Sequence, residues 1–185
     1  MNIETTYSLD EEDYLEYYLY DVSSARRKKK QSKYSFVWEE TVFFLLCCLI
    51  IYRATDNIVL LYWLLAATIL VVFILPFFAN WSEKKYFKKF INKNLKSNFG
   101  QIINVIFTDE SIETIDYSGE SRINISQVRE VNEIGRYYFL PLLAGTTFII
   151  PKEKLTNPLE IENAIKYIVS KLGIEHNINL DWKWK

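Results

Sequence analysis

The sequence predicts a membrane α+β protein: a two-helix transmembrane hairpin, then a small antiparallel β-sheet or barrel capped by a C-terminal α-helix. Three observations carry that prediction. Ile58 to Trp81 is apolar and uncharged, and its roughly 24 residues at 1.5 Å each reach about 36 Å, against a hydrocarbon core about 30 Å thick. Between Asn104 and Ile150, short runs rich in β-branched and aromatic residues alternate with turn residues. From Asn157 to Gly173 an apolar stripe at helical spacing lies between a start signal and a stop signal.

The chain has 185 residues and a formal net charge of -1, a balance that hides segregation. Arg26, Arg27, Lys28, Lys29, Lys30 and Lys33 precede the apolar middle, and Lys84, Lys85, Lys88, Lys89, Lys93 and Lys96 follow it. Four segments follow from this: 1–35, an N-terminal helix and basic run; 36–81, the hairpin (36–52 and 58–81); 82–100, a basic amphipathic connector helix; and 101–185, a folded domain. Cys47 and Cys48 are adjacent in apolar sequence, which suits small buried hydrophobes rather than a disulfide framework or a metal pair. No signal peptide is expected.

Ser8 to Glu11 spells a capping box and predicts a helix over about Leu9 to Val22, with acids near its positive end. Tyr14, Tyr17, Tyr18 and Tyr20 load that helix with rings, read as packing or headgroup contacts. The run Ala25 to Lys33 reads as a topological flank attracted to anionic lipid, and a nucleic-acid partner is not expected. Phe36 to Tyr52 is short for a span and carries Glu39 and Glu40, whose sharper reading is a proton or ion relay and whose plainer one is a hydrated pair near the headgroups. With Arg53 to Asn57 as the turn and lysines on both outer flanks, the expected placement is a multi-pass cell-membrane protein with both termini cytoplasmic. Pro76 is expected to bend the second helix. From Ser82 to Gly100, lysines alternate with Tyr86, Phe87, Phe90, Ile91 and Leu95 as in an interfacial helix.

Strands are expected over 104–107, 111–117, 120–125, 128–134, 137–140 and 146–150, with turns at Asp109-Glu110 and Ser118-Gly119. Asn157, Pro158 and Glu160 open the last helix, Ile161, Ala164, Ile165, Ile168 and Leu172 form its stripe, and Gly173 ends it. His176 is the only histidine, so no zinc site and no cofactor are expected.

The order of these features resembles the YcxB-like family of bacterial membrane proteins. The resemblance rests on Tyr7 to Tyr20 (YSLDEEDYLEYYLY), the basic run, the apolar hairpin, and FTDESIETIDYSGESRINISQVREV followed by YYFLPL and FIIPKEKL, with Phe107 to Glu110, Gly119-Glu120 and Ile149 to Lys152 as its most telling pieces. It implies a pleckstrin-homology-like C-terminal domain and supplies no catalytic residues.

The functional expectation is a membrane-anchored, non-enzymatic interaction or regulatory module. Its cytoplasmic domain would bind a protein segment or anionic lipid headgroups, with Arg26, Arg27, Lys28, Lys29, Lys30, Lys33, Lys84, Lys85, Lys88 and Lys89 at the lipid bilayer. The alternative is an immunity protein acting in the membrane against a membrane-active toxin, or regulating a larger membrane complex. A third class, a hydrolase using Asp109, Glu110, Asp116 or Glu120, is disfavoured because carboxylates in hairpin turns are usually solvated turn formers.

Overall fold

A strand opens the chain. In the computed structural model, which describes residues 2–28, 35–55 and 57–184 apart from the side chains of residues 28, 35–38, 40, 75–77 and 79, β1 (Asn2–Ser8) pairs antiparallel with β2 (Ile102–Thr108). Register sets Thr5 opposite Val105 and Ile3 opposite Phe107, so with a period of two Thr5 and Tyr7 enter the core beside Val105 and Phe107. β3 (Ser111–Asp116) and β4 (Gly119–Asn124) follow as hairpins and complete a sheet of order β1-β2-β3-β4.

The second sheet, ordered β7-β6-β5-β8, consists of β5 (Val131–Ile134), β6 (Tyr137–Pro141), β7 (Thr147–Pro151) and β8 (His176–Asn179). β8 runs parallel to β5, so this sheet is mixed where a wholly antiparallel one was expected. The first expected hairpin turn is present at 109–110, while the second lies at 117–118, one residue before the expected Ser118-Gly119, because Gly119 already pairs with Asp116 in the ladder.

Helix α1 (Glu11–Lys28) starts later than expected, because Ser8 is held in the ladder opposite Ile102. The cap moves to Asp10, whose Oδ1 accepts from the amides of Glu12 and Asp13 (3.0 and 3.3 Å), while Asp13 Oδ2 accepts from the Asp10 amide at 2.7 Å. Helix α4 (Pro158–Leu172) has the expected stripe, with Ile161, Ala164, Ile165 and Ile168 buried, and runs against β1. Gly173 ends it at φ 62°, its amide donating to the Val169 carbonyl. Asn157 stands at the N-cap without a side-chain capping bond; its amide instead reaches Glu160 at 3.4 Å.

Two compact units result. One combines Met1–Tyr18 with Lys88–Trp184, and holds both sheets, α4 and the core around Phe107, Phe139, Ile150 and Ile165. The other is Leu19–Phe87, with α2 (Ser35–Thr55) and most of α3 (Ile58–Asn94). There Cys48 Sγ meets Thr68 Oγ1 at 3.8 Å, and Thr68 Oγ1 donates back to the Leu64 carbonyl at 2.8 Å. Phe43, Leu46 and Ile50 on α2, and Tyr62, Trp63, Leu70 and Phe73 on α3, are exposed.

The expected transmembrane hairpin is corrected here. Among the described residues no helix is long and apolar enough to cross a membrane. In α2 the apolar interval between Glu40 and Arg53 covers only about 18 Å at 1.5 Å per residue, against a hydrocarbon core of about 30 Å. The multi-pass placement with both termini cytoplasmic rested on that hairpin and falls with it. The helix does not stop at Trp81 but continues through Glu83, Lys84 and Lys85 to Asn94.

Candidate functional site

Ten basic residues were expected to form the contact surface. Lys29, Lys30 and Lys33 lie outside the described residues, as does the side chain of Lys28. Four of the remaining six have partners. Arg26 forks onto Glu83, with Nη1 to Oε2 at 3.2 Å and Nη2 to Oε1 at 2.5 Å. Arg27 lies over the Tyr20 ring at 5.6 Å, Lys85 over the Trp81 ring at 4.6 Å, and Lys88 pairs with Glu11 at 3.2 Å. Lys84 and Lys89 are exposed with no ion pair among the described residues, and Lys93, one turn beyond Lys89, is the same. The structure thus separates fastening cations from available ones, a division the basic runs alone do not reveal.

Two polar clusters in the sheet-bearing unit escaped the sequence reading. The first surrounds Asp13, whose 3% exposure is unusual for a carboxylate. Its Oδ1 accepts from the Tyr137 hydroxyl at 3.0 Å, and its Oδ2 from Lys154 Nζ at 2.6 Å. Lys154 also reaches Asp10 at 2.8 Å, while Arg136 donates to Glu12 at 3.0 Å. Burial, reinforced by the Asp13 charge, pushes the Tyr137 hydroxyl far above its ordinary range. The Lys154 hydrogen bond holds the Asp10 carboxyl below the usual carboxylate range. Burial pulls the Lys154 ammonium down, but its bonds to Asp10 and Asp13 outweigh that and raise it. A cavity of about 180 Å³ adjoins these residues. Lys154 bridges Asp10 and Asp13, and Arg136 pairs with Glu12, so the cluster ties the start of α1 to β6 and to the turn after β7. The sequence signal available for this cluster was the Asp10 and Asp13 spacing, which suits a cap, where the expectation rested on Ser8 to Glu11 instead; nothing local signalled Tyr137 or Lys154.

The second cluster centres on Glu133, which pairs with Lys152 at 2.7 Å and whose Oε2 lies 2.9 Å from His176 Nε2, outside hydrogen-bond geometry. Lys152 also lies over the Tyr138 ring at 4.4 Å. Burial and the Glu133 charge push the Tyr138 hydroxyl up to about 12. The lone histidine is therefore placed against a carboxylate on β5, and among the described residues no group of three or more ligating side chains could hold a metal ion.

The other candidates resolve into local roles. Asp116 accepts from the Ser118 amide and hydroxyl within its own turn at 2.7 and 2.6 Å, and the Ser118 hydroxyl holds its carboxyl below the ordinary value, which suits a turn former rather than a proton donor. The Asp109 carbonyl accepts from Lys171 at 2.7 Å. Tyr14 stacks on Phe99, Tyr18 meets Phe90 edge-on, and the Tyr17 hydroxyl donates to Thr147 at 3.0 Å. These rings of α1 pack rather than form an open peptide-binding surface. Glu39 is exposed, and the Glu40 side chain lies outside the described residues. Between α2 and α3 an apolar groove of about 390 Å³ is lined by Leu45, Leu65, Thr68, Ile69 and Phe73.

Comparison with curated proteins and with solved structures found no match. A family model described as YcxB-like protein matches residues 107–168, about a third of the chain, from the end of β2 to the third turn of α4.

Proposed function

We propose that the chain is a non-enzymatic module that binds anionic lipid headgroups and that its sheet-bearing unit is pleckstrin-homology-like. Support for the second part comes from two four-stranded sheets followed by a C-terminal helix with four buried apolar residues, and from the similarity of 107–168 to the YcxB-like family. The observation that carries the first part lies along α3. Lys89 and Lys93, one turn apart, are exposed without ion-pair partners among the described residues, on a stretch of helix that also exposes Phe90. Cations with apolar and aromatic neighbours suit a headgroup layer, where the charge meets phosphate and the rings enter the acyl boundary. Contact with that layer is all the reading requires.

Flotation of the full chain with vesicles tests it, using phosphatidylcholine alone or with phosphatidylglycerol added. Each basic residue near an anionic surface contributes about 1 kcal/mol, so K89A/K93A should weaken the phosphatidylglycerol-dependent part of binding on the order of thirtyfold. Added salt should weaken the parent chain in the same direction. Equal partition onto both vesicle types, or an unchanged double variant, would overturn the proposal.

A further inference from the structure

The edge of β5 carries an inference that does not depend on lipid binding. β5 lies deep in its sheet, with Val131, Asn132 and Ile134 all buried, yet the strand covering its outer edge is the four-residue β8. None of the four β8 residues is buried, and its one apolar side chain, Ile178, is 61% exposed. β8 is held by the parallel ladder from Val131↔His176 to Ile134↔Asn179, preceded by the Val131 amide bonding the Glu175 carbonyl at 2.9 Å. Two side-chain contacts add register: Asn177 Nδ2 donates to Asn132 Oδ1 at 3.3 Å, and His176 Nε2 sits 2.9 Å from Glu133 Oε2. A strand held without apolar burial opens at low cost compared with the core.

Opening leaves a specific vacancy. Asn132 and Glu133 lose their matched partners and the β5 backbone loses its ladder, so the segment that restores all three contacts is one with the chemistry of residues 176–179. A second copy of this chain carries it. The joint between α4 and β8 is only Gly173, Ile174 and Glu175, and short joints favour exchange over folding back.

We propose that the β5 edge is a self-exchange interface, at which β8 of one chain pairs with β5 of a second copy. The dimer repeats every contact of the closed form, so its population follows chain concentration and the strain in the joint.

Cysteine pairing across the register tests this. The full chain is used in a non-ionic detergent, with Cys47 and Cys48 replaced by alanine. Asn132→Cys and Asn177→Cys are directly opposite in register, at a strand spacing near 4.8 Å that lies within the Cα range a disulfide spans. Placed in one chain, the two cysteines report closed pairing. Placed in separate chains that are mixed, they report exchange.

The expected results are an internal disulfide in the doubly substituted chain when dilute, and a covalent heterodimer from the mixture that increases with concentration. Deleting Ile174 should raise the heterodimer yield about fivefold or more, because the shortened joint strains the closed form only. An internal disulfide with no heterodimer at any concentration would overturn the proposal. So would the absence of the internal disulfide, since β8 would then not lie on β5. Size-exclusion chromatography with light scattering on the cysteine-free chain, with and without Ile174, gives an independent reading; an unchanged monomer in both counts against exchange.

Discussion

Replacing Asp13 by alanine should be among the more damaging single changes to the sheet-bearing unit, and the structure says where the loss arises. The Tyr137 hydroxyl loses its acceptor while buried, which costs about 1–3 kcal/mol. The Asp10 amide loses its reciprocal capping bond, about 1 kcal/mol more. Lys154 is about a third exposed and keeps Asp10, so its share is at most about 1 kcal/mol. The sum is about 2–5 kcal/mol. Tyr137→Phe removes the donor and leaves Asp13 with its other two partners, so it should cost about 1 kcal/mol. In the double variant the stranded hydroxyl is gone, and the combined loss should fall short of the sum by about 1–2 kcal/mol. Amide hydrogen exchange in a urea series, read on peptides covering β1 and β6, measures the stability of this unit alone. A loss below 1 kcal/mol for Asp13→Ala, or strict additivity in the cycle, would refute the account of a buried acceptor shared by three donors.

The same exchange readout checks two further expectations. The Asp10 carboxyl is held below its unfolded value, so its contribution is present above about pH 4 and is lost as pH falls through the lower folded value; Lys154 is raised, so its contribution is present below about pH 10.4 and lost above it. Stability should thus be level across neutral pH and fall at both ends, and Asp10→Asn should flatten the acid side; an identical acid profile would remove Asp10 from the account. Thr5 is 1% exposed and its hydroxyl has no hydrogen-bond partner among the described residues, so the near-isosteric Thr5→Val should stabilise by about 1 kcal/mol, a change that denaturant midpoints resolve; destabilisation would mean the hydroxyl is satisfied.

What the sequence made legible was local. The α4 stripe and its Gly173 stop depend on residues at most fifteen or so apart, and the β2-β3-β4 hairpins on turn pairs between neighbouring strands, so pattern alone located them. The cap of α1 was misplaced because two boxes compete, Ser8 with Glu11 and Asp10 with Asp13, and only the pairing of Ser8 with Ile102 decides between them. β1 and β8 went unseen for a related reason: their partners lie far along the chain or run parallel, and HNIN contains a single strong strand former. Of the candidate site, the cations were legible as residues. Which of them are already engaged was not, since Glu11 lies 77 positions before Lys88, and Glu83 lies 57 after Arg26.

The discontinuity of the sheet-bearing unit has a physical explanation. β1 meets β2 only after the whole of 19–87 has intervened, yet closure entropy grows with the logarithm of length, so a connection of about 70 residues costs only about 2 kcal/mol more than one of 10. A seven-residue ladder with Thr5 and Tyr7 buried offsets that amount. The points where the chain leaves and re-enters are then fastened within the unit itself: Lys88 pairs with Glu11, Tyr14 stacks on Phe99, and the Gly100 amide donates to the Leu9 carbonyl at 2.9 Å. With the ends so held, the sequence between them is under little constraint from the sheets. The residues that must stay are instead those of the fastening, Asp10, Asp13 and Leu9 on one strand of the neck and Ile91 and Gly100 on the other. Similarity to a known family over 107–168 is consistent with this: that stretch is the continuous part of the unit, whose register is set by its own turns rather than by a partner a hundred residues away.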